Sequence, residues 1–318
     1  MKWTRYFLAL GLVVGASMAS AQTRHVAIAN MVDIPQLIQV KTGLVDALRG
    51  AGYVEGQNLR LDYLSAQGNA GIATQILRKF VGDAPDVIVT ITTPMAQAAL
   101  SATRTVPVVF TVVTDPLGAK VVPSLKRPGG NATGISDLAP IERQLRLIKA
   151  FMPQARRLGV IYNTGLDGSR YQIEVLKPLL KAHGMTLVEA NAPTSNEVGS
   201  AMRSLVGKTD VVWIPNDPTV YAALESAVRI GQEQKIPVFT AETRTVERGA
   251  VASIGFDYNA VGEEAARQVV KILKGAKPGD IDVETPQVFR TVVNQRAAQA
   301  AGLRIPDDVA RQANIVNR

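Results

Sequence analysis

The sequence contains no cysteine. Disulfides, thiol nucleophiles and thiolate metal sites are therefore excluded, and no cysteine is present to carry a lipid anchor. Histidine is nearly as scarce: His25 heads one apolar run, His183 closes a helical one, and neither stands near a candidate serine. No G-x-S-x-G, H-E-x-x-H, P-loop or G-x-G-x-x-G pattern occurs, so the common signatures of serine hydrolysis, zinc proteolysis and nucleotide binding are missing. Aromatic residues make up only 5% of the chain, and no Lys/Arg stripe is interleaved with them. Nucleic acid is accordingly not expected as a partner, and neither a cofactor nor a metal is expected.

What the chain does have is Ala, Val, Ile and Leu. The hydrophobic fraction is 47% and the charged fraction 19% over 318 residues, enough for one or two domains with sizeable cores. The first residues combine Lys2 and Arg5, an apolar stretch from Phe7 to Val14, and Ala19-Ser20-Ala21 before Gln22. This is the pattern of a cleavable secretory signal, too short to span a membrane. Residues 1–21 are set apart on that basis, and the expected address of the mature chain is the bacterial periplasm, unanchored. Removing the signal leaves 33 basic and 27 acidic residues, a mild and dispersed positive excess.

The remainder alternates between β and α patterns. Val106 to Val113 is an apolar, β-branched run that stops at Thr114-Asp115-Pro116, as a strand buried on both faces would. Strands are expected at His25–Val32, Leu59–Leu64 and Asp86–Thr92, each separated from the next by helical spacing. From Pro140 the alternation restarts, with strands at Leu158–Tyr162, Thr186–Ala190, Val211–Ile214 and Pro237–Thr240. Short βα connections of this kind mark a doubly wound parallel sheet. The last segments, Ala250–Gly255, Val261–Leu273 and Val288–Val293, are too few for a third core. They are expected to complete the two lobes, with crossings near Ala132–Asp137, Ala250–Phe256 and Thr285–Arg290. The predicted fold class is α/β: two doubly wound parallel-sheet lobes joined by three hinge crossings. One lobe is assigned residues 22–134 plus 256–286, the other 135–255 plus 287–318. Trp213, mid-strand, is expected in the core.

Apolar strands here end repeatedly in a polar residue, often with proline: Thr92-Thr93-Pro94, Thr114-Asp115-Pro116, Asn163-Thr164, Asn216-Asp217-Pro218, Glu242-Thr243 and Asp257-Tyr258. Two uses fit. Thr, Asp or Asn followed by Pro caps a helix, worth about 1 kcal/mol per cap. Alternatively, strand ends of two lobes line a shared cleft. There, helix N-termini suit a carboxylate and acidic side chains suit an ammonium group. Tyr162, Tyr221, Tyr258 and Phe256 lie near these ends and can wall an apolar side chain or pack as core. Gly129-Gly130 reads as a turn at an interlobe crossing rather than a phosphate cradle.

Five segments carry a resemblance: GYVEGQN at 52–58, VFTVVTDPLG at 109–118, PGGNATGISD at 128–137, GVIYN at 159–163 and KIPVF at 235–239. Together they resemble the periplasmic substrate-binding proteins of ABC transporters, in the family that includes tryptophan-binding receptors. The resemblance extends over essentially the whole mature chain. It implies a type I periplasmic-binding-protein fold, closure on an aromatic or apolar amino acid, a monomer, and an inner-membrane ABC permease as partner. By motif position it implies Thr92, Thr93, Thr114, Asp115, Asn163, Asp217, Glu242 and Asp257 as cleft residues, to which the strand-end pattern adds Tyr258. After the first strand this chain has Asp33-Ile34-Pro35, where relatives often carry a histidine, so tryptophan itself is not carried over. A ligand-sensing domain serving a membrane partner, and an exported hydrolase using Asp115 or Glu242 as base, remain open at this level.

Overall fold

The computed structural model describes residues 23–317, so the expected export signal lies outside the described residues. Twelve strands and eleven α-helices alternate among them. The first lobe runs β1 (Arg24–Asn30), α1 (Pro35–Gly50), β2 (Leu59–Ser65), α2 (Ala70–Gly82), β3 (Val87–Ile91), α3 (Thr93–Ala102), β4 (Val108–Val113) and β5 (Ala132–Ser136). The second continues with α4 (Ile141–Phe151), β6 (Arg157–Tyr162), α5 (Asp167–Ala182), β7 (Thr186–Asn191), α6 (Val198–Ser204), β8 (Val211–Ile214), α7 (Pro218–Tyr221), α8 (Leu224–Glu233), β9 (Val238–Thr240) and β10 (Ala252–Phe256). The chain closes with α9 (Tyr258–Leu273), β11 (Phe289–Asn294), α10 (Gln295–Ala300), α11 (Asp307–Gln312) and β12 (Asn314–Val316).

One sheet has the order β2-β1-β3-β4-β5, wholly parallel; the other has β12-β11-β10-β9-β8-β6-β7. In the second sheet β11 pairs antiparallel with β10 and parallel with β12, so these two strands run opposite to the other five. Central strands such as β3 and β8 are buried along their whole length, which is why they read as unbroken apolar runs. Trp213 sits in the core of the second lobe, where its indole N–H donates to Gln144 at 3.1 Å.

Three segments pass between the sheets. The first joins Ser136 to Ile141, and the second is the step from Phe256 into Tyr258. The third runs from Glu284, which bridges Ile135 of the first sheet, to Phe289 at the head of β11. The first two crossings fall just beyond the expected stretches, which are themselves strands: apolar strand and apolar crossing look alike until pairing is known. The helical spacing between Ile214 and Pro237 resolves into two helices, α7 and α8, and the two C-terminal elements α11 and β12 escape a reading based on long periodic runs. Gly129 and Gly130 form a left-handed turn before β5, with Gly129 N–H donating to the Gly279 carbonyl at 2.9 Å. That turn lies within the first lobe rather than at a crossing.

Helix α9 follows the second crossing yet packs in the first lobe, its Val261, Ala265 and Val269 joining Leu37, Val40 and Leu44 of α1 in one core. The two helices meet at backbone distance. A Cβ on Gly43 would overlap the Asn259 carbonyl, and one on Gly262 would overlap the Val40 carbonyl. Both glycines are there for close approach. Replacing Gly262 by Ala must push α9 away from α1; the expected loss is roughly 1–3 kcal/mol, read as a lower urea midpoint with unchanged slope.

Candidate functional site

Parallel pairing sends the carboxyl ends of β1–β5 to one edge of the first sheet, and those of β6–β10 to one edge of the second. The crossings set these edges against each other. In the first lobe, β3 ends at Thr92, a non-glycine residue held at φ 93°. Its hydroxyl is enclosed and has no hydrogen-bond partner. Thr93, half-buried, opens α3, with Pro94 in the first turn. Strain of this kind is commonly kept where a site over-determines the backbone, and the free N–H groups of a helix start favour an anion.

Strand β4 ends in a bulge at Val112, φ 55°, which shifts its register against β5 between Thr111 and Val113. Beyond it, the Thr114 hydroxyl donates to the Asp137 carboxylate at 2.9 Å. Asp137 begins the first crossing and is only 6% exposed. Burial pushes its carboxyl up to about 6, and the Thr114 bond offsets only part of that. Asp115 is half-buried and accepts from Gly118 N–H at 2.9 Å, a turn cap. Across the gap stands Tyr171 of α5, whose phenol is raised by burial and then by the Asp115 charge.

In the second lobe Glu242 follows β9. It caps the short turn Thr243–Val246 through Arg244 N–H at 3.0 Å, and burial raises its carboxyl. Tyr258, the first residue of α9, stands where both lobes reach it. Burial raises its phenol most, then the charge of Asp137 from the first lobe, then that of Glu242 from the second. Tyr221 is raised likewise by burial and then by Glu242. The burial of Asp137 is offset in part by hydrogen bonds rather than by a cation, and Arg244 and Arg248 offset part of the burial of Glu242. A buried acid, a half-buried acid and two phenols make a place for a cationic group.

Beside this cluster a cavity of about 890 Å³ opens between the lobes. Gln36 and Gln39 from the start of α1 line it together with Glu242 and Arg244, and Tyr258 and Arg290 border it at the crossings. Its volume suits a small organic ligand. Of the nine residues singled out from the sequence, Glu242, Asp257 and Tyr258 border this cavity; Thr92, Thr93, Thr114, Asp115, Asn163 and Asp217 do not. The cavity is the flank of the interlobe gap toward α1 and α4. The chemically coherent centre is the Asp137–Tyr258–Glu242 cluster, which shares two of its residues with that flank.

Several strand-end residues are spent on local architecture. Asp217 is fully buried, and its carboxylate accepts from Asn163 N–H and Ser169 hydroxyl, both at 2.7 Å, and from Val220 N–H at 3.0 Å. Asn163 donates to Pro193 carbonyl and Thr219 hydroxyl, both at 3.0 Å, tying three loops of the second lobe together. Asp257 caps α9 through Asn259 N–H and is held by Arg290 at 2.7 Å. Phe256 is core, and Tyr162 donates to Glu189 at 2.6 Å at the outer strand. Conversely, Asp137 and Tyr171 were not singled out by the sequence reading. Asp137 carried the same signal as the others, a polar residue directly after an apolar strand; Tyr171 carried none.

The division between scaffolding and open carboxylates is measurable. Asp217→Ala leaves three donors without an acceptor and is expected to cost roughly 2–5 kcal/mol in urea unfolding. Glu242→Gln keeps the cap and should cost less than about 1 kcal/mol.

The tyrosine-binding protein of Clostridioides difficile strain R20291 is 36% identical over 285 residues, covering 90% of this chain and 83% of its own length. A solved domain from Vibrio cholerae O1 biovar El Tor strain N16961 shares 46% identity with a TM-score of 0.79, covering 92% of this chain and 99% of its own. An ABC domain from Streptococcus pneumoniae, solved in complex with L-Trp, shares 33% identity with a TM-score of 0.80, again covering 92% and 99%. More distant solute-binding structures, at 13–14% identity and TM-scores of 0.60–0.61, share the type I fold alone. The tyrosine-binding and L-Trp-bound relatives belong with solute-binding proteins, a non-enzymatic family, so the hydrolase reading is set aside. The family model for ABC transporter substrate binding proteins matches residues 25–317, and this chain belongs to that family.

Proposed function

We propose that the chain is the receptor of an ABC importer, and that it takes an aromatic or large apolar amino acid between its lobes and passes it unchanged to an inner-membrane permease. The observation that carries this reading is the convergence of Asp137 and Glu242, one from each lobe, on Tyr258 at the crossing. An ammonium group placed there supplies the positive charge the cluster lacks. It touches both lobes at once, so it favours the closed arrangement over the open one, which is the requirement for ligand-driven closure.

In this reading the ligand carboxylate lies at the start of α3, where Thr93 presents the helix N-terminus and the unpaired Thr92 hydroxyl is on hand. Thr114 steadies Asp137, and Asp115 faces Tyr171 across the gap. Tyr171, Tyr221 and Tyr258 wall the side chain. Asn163, Asp217 and Asp257 hold the loops in place rather than meeting the ligand. The tyrosine-binding and L-Trp-bound relatives support this ligand class. The receptor works as a monomer in the periplasm, exported by its leader.

Calorimetry with tyrosine, tryptophan, phenylalanine and leucine near neutral pH tests the proposal. At least one is expected to bind with a Kd on the order of micromolar, about −8 kcal/mol. Asp137→Asn should weaken that binding at least tenfold, about 1.4 kcal/mol. The wild-type affinity should also fall as pH drops through about 6, because Asp137 then takes up a proton and loses the charge that meets the ammonium. No heat from any amino acid, or affinity that rises on acidification, would overturn the reading.

A further inference from the structure

Helix α9 carries two buried polar side chains that the ligand site does not use. Glu264 is 4% exposed and Gln268, one turn later on the same face, is fully buried. The Gln268 amide nitrogen donates to Gly134 of β5 and to the Asp282 carbonyl, both at 3.3 Å. Those two acceptors determine which way the amide faces, and its oxygen is left with no donor. Glu264 has the same deficit. Its Oε1 accepts from the Gln287 N–H at 3.2 Å, but its Oε2 is enclosed and has no partner. Two acceptors closed off from water, one turn apart on one helix face, with no donor between them, is a costly arrangement.

We propose that Glu264 is held protonated, that its O–H is donated to the Gln268 amide oxygen, and that this neutral pair clamps the third interlobe crossing to α9. One proton taken from solvent satisfies both orphan oxygens at once. The acid keeps its other oxygen for Gln287, which lies between Glu284 on the first sheet and Phe289 on the second. The latch therefore grips a segment whose backbone must turn when the lobes move.

The surroundings favour the neutral form. Arg267 stands 3.7 Å from Oε1, beyond hydrogen-bond distance, and is itself exposed. Burial disfavours a charge on Glu264 most; the Gln287 N–H and then Arg267 offset part of that, and Glu284 on the crossing and Glu263 on the same helix add to the burial effect. Glu284 is itself answered by Lys271 at 3.7 Å. The strands under α9, β4 and β5, carry no titratable side chain, and α1 turns Val40, Gly43 and Leu44 toward it. A carboxyl raised from its ordinary 4.5 gives its full stabilisation below that value and loses it as pH climbs through the raised one. Acid therefore locks the crossing and alkali loosens it.

Glu264→Gln is the matching neutral form: one oxygen for Gln287 and a permanent donor for Gln268. Thermal unfolding of the ligand-free full chain and of this variant, from about pH 4.5 to about pH 8.5, separates the possibilities. The two midpoints should coincide at the acid end, with the variant ahead by roughly 2–4 °C at the alkaline end. The infrared difference between them near neutral pH should show a protonated carboxyl band in the wild type alone. Amide exchange over residues 284–289, corrected for intrinsic rate, should be faster in the wild type at the alkaline end. Midpoints that run parallel across the range, a missing carboxyl band, or equal exchange would each mean an ionised Glu264 served by water, and would overturn the proposal. No ligand enters these measurements, so their outcome is independent of the amino-acid reading.

Discussion

Parallel pairing is the constraint on which this protein depends. A parallel strand must be reached by a crossover, and every crossover here returns the chain to the same edge of its sheet. The consequence is mechanical: the polar residues that stop each strand gather along one line in each lobe. Because the two lobes are joined at three places near those lines, the lines face each other. The site is thus a by-product of topology, furnished by whichever side chains happen to follow the strands.

Those side chains divide by where their hydrogen bonds go. Asp217 and Glu242 occupy comparable positions, each after an apolar strand and each capping the next turn. Yet Asp217 receives three donors and is closed off, whereas Glu242 receives one and remains half open. A carboxylate saturated by the protein organises loops; one left short of donors and cations is available to a solute. Asp137 belongs with Glu242, since the Thr114 hydroxyl and its own backbone N–H offset only part of the burial of its charge. The cost of leaving these acids under-compensated is borne by the rest of the fold, much as the left-handed backbone at Thr92 and Val112 is.

In the proposed reading the crossings link binding to motion. Tyr258 starts the helix that leaves the second lobe, and that helix is clasped to α1 at Gly43 and Gly262, so the phenol is fixed to the first lobe while sensing a carboxylate of the second. The third crossing passes the same helix further along, at Glu264 and Gln268. One helix therefore meets the ligand cluster at its first turn and the hinge at its second and third. A rigid element spanning both gives the lobes a shared lever without any long-range relay.

Much of this was legible in the amino-acid order. Buried parallel strands are continuous apolar runs, so the strands of both lobes, the repeat of one architecture and the family resemblance could be read directly. The polar strand ends could be found too, since they are marked by an abrupt change of chemistry. What sequence could not decide was which of them cap and which face the gap, because a cap and a contact need the same residue types at the same position. Nor could it find Tyr171, which sits within a helix and matters only because Asp115 of the other lobe stands opposite. The same holds for Glu264 and Gln268, ordinary members of a helical pattern until tertiary packing removes their water and leaves one oxygen of each without a donor. Local order determines elements, since their hydrogen bonds are local; the site and the hinge were decided by tertiary structure, since burial and charge depend on chain segments more than a hundred residues apart.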